Sequence, residues 1–229
     1  MAGFLRILTA NLWNGGADPE RFAALLRELA VDVACLQELA PEQAEAVAEV
    51  LPHGRLEPAT DHDGMGIALR RPAPLEALPL PRRALRTARL APEAWPGLVA
   101  PLSVWNVHIE APHSRPGSLW RRRRQLRALL AHLERGAGGR LVLLGDLNAT
   151  PLWPVYRRIA ARLPDAAREV AARRGERPRR TWTPAAGDRH PRLLRIDHVF
   201  ARGVDVLELR AVNVPGSDHD ALVVDLALD

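Results

Sequence analysis

Lysine is absent from this sequence, so all 32 basic residues are arginine. Cysteine is nearly absent too, and the single copy, Cys35, can form neither an intramolecular disulfide nor a cysteine-based zinc site. No apolar run approaches the length of a membrane span, and the first dozen residues lack the ordered regions of a signal peptide. These absences predict a soluble protein of the reducing cytoplasm, without a membrane span.

The 229 residues are 47 % hydrophobic, which is enough apolar material for one sizeable core. Neither an internal repeat nor a low-complexity linker divides the chain. We therefore expect a single domain over residues 1–229, present as a monomer.

Positive charge is concentrated in two parts of the chain, although the formal net charge is only +5. Between Trp153 and Arg195, twelve arginines accompany four acidic residues, a local excess of eight positive charges. A second cluster comprises Arg121 to Arg124 together with Arg127. Such stripes favour anionic partners such as nucleic acids. The alternative interpretation is a solvated helix and loop that happen to be rich in arginine.

Strand-like and helix-like apolar patterns alternate along the chain, which indicates an α/β fold of two packed sheets with helices on the outer faces. Helices are predicted after the cap Asp18-Pro19, at PEQAEAVAEVL, at SLWRRRRQLRALLAHLE and around residues 154–163. The arginine-rich stretch from there to Arg180 is poorly periodic, and no helix or strand is assigned to it. Strands are predicted at FLRILTANLW, VDVACLQE, several short pieces between His53 and Arg89, LVAPLSVWNVHIE, LVLLGDLN, LLRIDHVFA, VDVLELRAVNV and ALVVDLAL.

Polar residues interrupt or end most of these strands. Burial of a carboxylate costs several kcal/mol unless a cation or a hydrogen bond compensates it. Polar groups at the ends of several different strands are most simply explained by one shared site. The candidate residues are Asn11, Glu38, His108, Asp146, Asn148, Asp197, Asp218 and His219.

The segment LVLLGDLNATP illustrates the pattern. Its aliphatic run predicts a buried strand, and side chains at i and i+2 of a continuing strand share one face. Asp146 and Asn148 would then lie about 7 Å apart, as an acceptor and a donor on opposite sides of a phosphate. The alternative is an Asx turn after the strand, with Asn-Ala-Thr-Pro (residues 148–151) as the turn.

Taken together, TANLWN, LQE, NVHIE, GDLN, RIDHVF and SDH resemble the endonuclease/exonuclease/phosphatase family of deoxyribonuclease-I-like phosphoesterases. The resemblance extends from Asn11 to His219. It implies a four-layer α-β-β-α sandwich of two mixed sheets with outer helices and an active site at one rim. It also implies Mg²⁺-dependent hydrolysis of phosphodiester bonds by in-line attack of water, with Mn²⁺ as another possible metal.

The resemblance assigns Asn11, Glu38 and Asp218 to the metal side of the site. A glutamate is a hard oxygen ligand that suits Mg²⁺, and Asn11 would support the metal or the phosphate. Asp218 resembles a further carboxylate that is either metal-side or structural. For Glu38 the alternative is a surface glutamate that opens a loop.

The catalytic residues implied by the resemblance are His108, Asp146, Asn148 and the pair Asp197 and His219. In the pair, the carboxylate would fix the imidazole tautomer and raise its basicity. Either Asp146 or His219 could take the proton from water. The alternatives are a core histidine at His108 and an ordinary turn at GSDHD.

Departures from the family patterns reduce the number of substrate classes that we expect. Trp13 and His108 stand where abasic-site endonucleases of the family carry other residues, and the inositol phosphatase motif is missing, so we expect neither activity. A nucleic acid is the leading substrate because of the arginine stripes, and a small or lipid phosphoester is the alternative. A catalytically silent nucleic-acid-binding module is the third interpretation.

Overall fold

The computed structural model of the chain describes residues 3–81, 83–114, 116–136, 138–184 and 191–228. Arg189 and Asp188 of the arginine-rich stretch lie outside these residues. The strands are β1 (Phe4–Asn11), β2 (Val33–Gln37), β3 (His53–Glu57), β4 (Met65–Leu69), β5 (Leu75–Leu80), β6 (Arg83–Leu90), β7 (Leu102–His108), β8 (Arg140–Asp146), β9 (Asp197–Arg202), β10 (Val206–Asn213) and β11 (Asp220–Ala227). The helices are α1 (Pro19–Glu28), α2 (Pro41–Ala48), α3 (Ser118–Arg135), α4 (Pro154–Ala160) and α5 (Ala166–Arg173).

The strands form two mixed sheets. One sheet has the order β10-β11-β1-β2-β4-β3, and the other has the order β5-β6-β7-β8-β9. Each contains one parallel pair, β1 with β2 and β7 with β8, and each parallel pair is joined through a helix, α1 or α3. The remaining neighbours are antiparallel.

The helices bury an apolar face against a sheet, and α1 also begins with residues that favour a helix N-terminus. Asp18 accepts a hydrogen bond from the Arg21 backbone N–H (3.0 Å), and Pro19 occupies the first turn of α1. Phe22 and Leu26, four residues apart, then pack with the outward residues of β1 and β2. In α3, the leucines between Leu126 and Leu133 cover the outer face of the second sheet.

Three apolar clusters separate the layers. The central cluster lies between the two sheets, a second lies under α1 and α2, and a third lies under α3 and α4. The predicted four-layer α-β-β-α sandwich is therefore confirmed.

Helix α5 departs from the sequence-based assignment, which placed no regular element in this arginine-rich stretch. Its small apolar residues 166, 167, 170 and 171 do recur at helical spacing, and Asp165 caps its first turn through the Arg168 N–H (3.1 Å). Ala166 and Val170 join the central cluster, and α5 contacts β9 and β10. This helix therefore closes an open edge of the sandwich and is not part of an outer layer.

The strand register places polar residues side by side at one edge. Strands β1, β2, β7 and β8 end at this edge, and β9 and β11 begin there. In the second sheet, His108 pairs with Asp146, and Asp146 pairs with Asp197. Across the described ranges, no helix combines the length and the apolarity needed to cross a membrane.

Candidate active site

A pocket of about 510 Å³ opens at this shared edge of the two sheets. Both sheets contribute to it, so residues distant in the chain face one another. The pocket is lined by Trp13, Glu38, His62, Asp63, His108, Glu110, Ala111, Ser114, Asp146, Asn148, Trp182, Asp218 and His219. Of the eight candidates from the sequence, six therefore line one pocket, and Asn11 and Asp197 lie directly behind it.

Glu38, His108 and Asp146 form the centre of the site. His108 Nε2 lies 3.7 Å from Glu38 Oε1 and 3.7 Å from Asp146 Oδ2. The Asn11 amide bridges the same two carboxylates, because its Nδ2 donates to each at 3.1 Å. The Asn11 oxygen instead accepts the Trp13 backbone N–H (2.9 Å), so Asn11 orients the carboxylates and points its oxygen away from them.

Asp146 and Asn148 do not lie about 7 Å apart, as an extended strand would have required. The strand ends at Asp146, whose Oδ1 accepts the Asn148 backbone N–H (2.7 Å), and whose Oδ2 accepts the Asn148 side-chain amide (3.1 Å). Asn148 has a left-handed backbone, with φ of 47°. The segment is therefore an Asx turn made by the Asp146 side chain, two residues before the expected turn at Asn148, and both side chains line the pocket.

Gly145 explains why the aliphatic run stops where it does. A Cβ atom at this position would lie 2.0 Å from the carbonyl oxygen of Val107, and φ is 136°. Only glycine allows β7 and β8 to approach this closely. The close approach sets His108 and Asp146 beside each other.

Asp197 and His219 form a hydrogen-bonded pair. His219 Nδ1 donates to Asp197 Oδ2 (2.9 Å), which directs Nε2 towards the pocket. Ser217 fixes this loop, because its hydroxyl donates to the Asn11 carbonyl (2.8 Å) and accepts the His219 backbone N–H (3.0 Å). His219 Nε2 lies 4.0 Å from Asp146 Oδ2.

The buried carboxylates shift the pKa values in the site. Burial raises the pKa of Asp146 to about 7, and the charge of Asp197 adds to this shift. Burial alone would lower the pKa of His219, but Asp197, with Asp146 and Asp218, raises it to about 10. The site therefore holds an excess of negative charge that its own histidines only partly offset.

Asp218 also lines the pocket, beside His219. Its Oδ2 accepts the Trp182 indole N–H (2.9 Å), so Trp182 orients this carboxylate in addition to packing. Its buried Oδ1 accepts no hydrogen bond from the described residues and lies 3.8 Å from His219 Nε2. Burial raises the pKa of Asp218.

Strained backbone is concentrated at the site. Five non-glycine residues in the described ranges have positive φ, and Trp13, Asn14, Glu38 and Asn148 are four of them. A left-handed conformation costs roughly 1–3 kcal/mol at a non-glycine residue and persists only where the surroundings enforce it. At Glu38 it turns the carboxylate inward directly after β2.

Sequence reasoning missed three contributors. His62, from the loop before β4, donates through Nδ1 to Glu38 Oε2 (2.5 Å). Glu110 accepts a bidentate contact from Arg121 (2.7 and 2.9 Å). Arg122 is buried, donates to the carbonyls of Glu110 and Asn148, and thus ties two pocket segments together.

The donor set fits a divalent cation. Ligand atoms of Glu38, His108 and Asp146 lie within 4.8 Å of one another. Carboxylate oxygens are the ligands that Mg²⁺ and Mn²⁺ prefer, and Glu38 and Asp146 supply them here. Asp218 lines the same pocket but does not belong to this set of clustered ligand atoms. Within the described ranges, no arginine pairs with Glu38, Asp146, Asp197 or Asp218, so a cation would supply the missing positive charge.

Residues 8–219 match the sequence model of the Endonuclease/Exonuclease/phosphatase family. The chain belongs to this family. Its members are phosphoesterases that typically depend on a metal and act on phosphodiester substrates, and the acidic and histidine cluster described above is a possible metal site.

Solved structures with the same fold support the assignment. An endonuclease/exonuclease/phosphatase from Beutenbergia cavernae DSM 12333 is 26 % identical, with a TM-score of 0.75 over 98 % of this chain and 72 % of that one. A humanized D. rerio TDP2 is 21 % identical, with a TM-score of 0.71 over 97 % and 98 % of the two chains. This second likeness concerns the fold alone.

One curated relative is a putative neutral sphingomyelinase of Drosophila melanogaster, 27 % identical over 145 residues. The match covers 55 % of this chain and 33 % of the fly protein, so the chain spans about a third of that relative's length.

Proposed function

We propose that this protein is a phosphodiesterase that hydrolyses phosphodiester bonds by in-line attack of water, with Mg²⁺ as its cofactor and Mn²⁺ as a substitute. The observation that supports this most directly is the convergence of Glu38, His108, Asp146 and His219 on one pocket. Their spacing suits a cation on one side of a phosphoryl group and a proton-transferring group on the other.

Glu38 and Asp146 are the residues that would hold the cation, with Asn11 orienting both. Asp218, which lines the same pocket beside His219, would add negative charge on the cation's side of the site. When bound, the cation would polarise the phosphoryl group and offset its charge. His62 would fix the Glu38 carboxylate in its inward orientation.

We assign proton transfer to His219 Nε2. Asp146 is the weaker candidate because its oxygens already accept hydrogen bonds from Asn11 and Asn148, whereas His219 Nε2 makes none to the described residues. Asp197 would fix the imidazole tautomer. Asp146 would orient the attacking water, and His108 would contact the phosphoryl oxygens. The Asn148 amide donates to Asp146 Oδ2 and to the Ile109 carbonyl, so Asn148 would position Asp146.

Two substrate classes remain in this proposal. A nucleic acid is favoured by the arginine excess. Several arginines of the stretch from Trp153 to Arg195 are however engaged in internal ion pairs, namely Arg162, Arg174, Arg192 and Arg195. A lipid or small phosphoester is favoured by the name of the fly relative.

We further propose that the chain works as one cytoplasmic domain and as a monomer. The family match over residues 8–219 supports one domain. Cys35 is buried in β2, where burial raises the pKa of its thiol, so it serves as a packing residue. Sedimentation equilibrium at several concentrations would test the monomer.

The test is turnover of bis(4-nitrophenyl) phosphate with Mg²⁺, with Mn²⁺ and with a chelator. Asp146→Asn keeps an oxygen that can accept the Asn148 N–H, so the turn survives while the charge is lost. We expect kcat to fall by roughly 10²–10⁴-fold in this variant, and the exposed Asp205→Asn to behave as wild type. Wild-type protein without turnover in any metal would leave only the silent binding module.

A further inference from the structure

Exposed large apolar side chains are concentrated at the pocket end of the molecule. Of ten such side chains in the described ranges, Phe4, Val99 and Leu207 lie at the opposite end, where β1, β7 and β10 begin. The other seven lie on segments that leave or enter the pocket. They are Trp13, Leu119, Trp120, Leu152, Trp153, Leu193 and Leu194.

A cavity of about 430 Å³ between α3 and α4 combines these apolar residues with arginines. We call this surface the α3–α4 patch. It comprises Leu119, Arg123, Arg127, Trp153 and Arg158, which line the cavity, and Leu152 beside Trp153.

The apolar part of the patch continues the buried face of α3 into solvent. Leu119 lies two turns before the buried Leu126 and therefore on the same helix face, but it is 62 % exposed. Leu152 is 84 % exposed, the largest value among the exposed apolar side chains. Neither leucine contributes to the core, so their exposure has no structural explanation in the described ranges.

The charged part of the patch is positive throughout. Among the described residues that line the cavity there is no acid, and Arg123, Arg127 and Arg158 form no ion pair in the described ranges. Next to the patch, the Arg124 guanidinium covers the Trp120 ring at 4.6 Å. These arginines remain available for an anionic partner, in contrast to the internally paired arginines of the long stretch.

The patch adjoins the catalytic pocket through one buried residue. Arg122 lines the cavity, lies 5.7 Å from the Trp153 ring, and donates to the carbonyl oxygen of Asn148 (3.1 Å). A partner bound to the α3–α4 patch would therefore lie next to the opening of the catalytic pocket, where a phosphodiester would enter.

The composition of the patch favours a bilayer over a nucleic acid. Leucine and tryptophan enter the boundary between headgroups and acyl chains, while arginine binds lipid phosphates. Single-stranded nucleic acids stack on aromatic rings, and Leu119 and Leu152 offer no such surface. The rings of Trp120 and Trp153 are each covered on one face by an arginine.

We propose that the α3–α4 patch docks the protein on anionic phospholipid bilayers, which would present phosphodiesters of lipid headgroups to the neighbouring pocket. This inference rests on the proposed phosphodiesterase function and names where its substrate lies.

Sedimentation with lipid vesicles tests the docking. Vesicles of phosphatidylcholine alone are compared with vesicles that also contain phosphatidylserine, in the presence of chelator so that hydrolysis is absent. We expect wild-type protein to bind only the anionic vesicles, and Leu119→Ser with Leu152→Ser to lower the binding constant about tenfold or more. The matched control is Val99→Ser with Leu207→Ser, which removes two exposed apolar side chains (70 % and 51 %) at the opposite end and should bind as wild type.

A second arm separates the bilayer from a nucleic acid. A triple variant, Arg123→Gln with Arg127→Gln and Arg158→Gln, is measured on the same vesicles and on a single-stranded oligonucleotide. Loss of vesicle binding in both the leucine and the arginine variants supports docking. Vesicle binding at the wild-type level by the leucine variant overturns it, and loss of oligonucleotide binding in the arginine variant alone would then assign the patch to a nucleic acid.

The folds of all variants are compared by thermal unfolding. Turnover of the soluble diester without vesicle binding by wild type would overturn the docking alone. Vesicle binding without turnover of any diester would instead overturn the proposed function.

Discussion

Asp197 is the candidate residue whose proposed role runs through a neighbouring side chain, His219. It does not line the pocket, and its contact with the reacting groups is the hydrogen bond from His219 Nδ1. We expect Asp197→Asn to lower kcat by roughly 10²–10⁴-fold with little change in KM, because the imidazole loses its orienting carboxylate. The variant should also lower the pKa of His219, since the charge that raises it is removed.

The measurement is a pH profile of kcat for wild type and Asp197→Asn. The limb assigned to His219 should move to lower pH in the variant. An unmoved profile with a lower kcat would mean that Asp197 has only a structural role.

His198 provides a pH-dependent contribution to stability. Its ring is buried, its Nε2 contacts the Ala149 carbonyl (2.8 Å), and burial lowers its pKa from 6.5 to about 4. Between pH 6.5 and 4 the unfolded chain therefore binds a proton that the folded chain does not, so this contribution is lost as the pH falls. The loss between pH 7 and pH 5 should be on the order of 2 kcal/mol.

Urea unfolding at pH 7 and pH 5 measures this loss. His198→Gln retains a donor for the Ala149 carbonyl but does not titrate, so its stability should fall less than that of wild type. The exposed His53→Gln should lose as much stability as wild type. Equal losses in all three proteins would show that His198 is not responsible.

The contact between strands β7 and β8 depends on Gly145. We expect Gly145→Ala to destabilise the protein by about 2–5 kcal/mol, because the new Cβ would overlap the Val107 carbonyl in a strained backbone. The strands must then move apart and displace Asp146, so turnover should fall as well. Gly138→Ala is the control, since no atom lies within 4 Å of its added Cβ. Both are measured by urea unfolding, and equal stabilities would contradict the close approach.

Some helices and strands could be predicted from the sequence alone, and one helix was missed. Strands β1, β2, β7 and β8 were predictable because each is an apolar run ended by a polar residue, and that same signal identified Glu38 and Asp146. Helix α5 was missed because its apolar residues are mainly small alanines with arginines between them. Its spacing could have revealed it.

Geometry between elements was the least predictable part of the site. The spacing of Asp146 and Asn148 was wrong because the strand ends one residue after Gly145 and turns on the Asp146 side chain. His62 lies in a loop without an apolar flank, and only the fold brings it to Glu38. Arg122 joins the segments of Glu110 and Asn148 through two hydrogen bonds. In the sequence it could not be distinguished from the other arginines of the run Arg121 to Arg124.

At the scale of the whole molecule, the site and the fold depend on each other. The pocket takes residues from both sheets and from almost the full length of the chain. Burial in the folded state and the neighbouring charge of Asp197 both disfavour the ionised form of Asp146, so they raise its pKa. A cation that binds only this folded arrangement must therefore stabilise the entire molecule.

Thermal unfolding with and without Mn²⁺ or Mg²⁺ tests this linkage independently of turnover. A cation at a hundred times its dissociation constant adds about 2.7 kcal/mol, which corresponds to an increase in Tm of roughly 5–10 °C for a chain of this size. Glu38→Gln should reduce the increase because it removes a proposed ligand, and a chelator should reverse it in wild type. Glu42→Gln, an exposed acid in the first turn of α2, should retain the full increase. If the two variants responded equally, the cation would be binding elsewhere, and the pocket would lose its proposed role as the metal site.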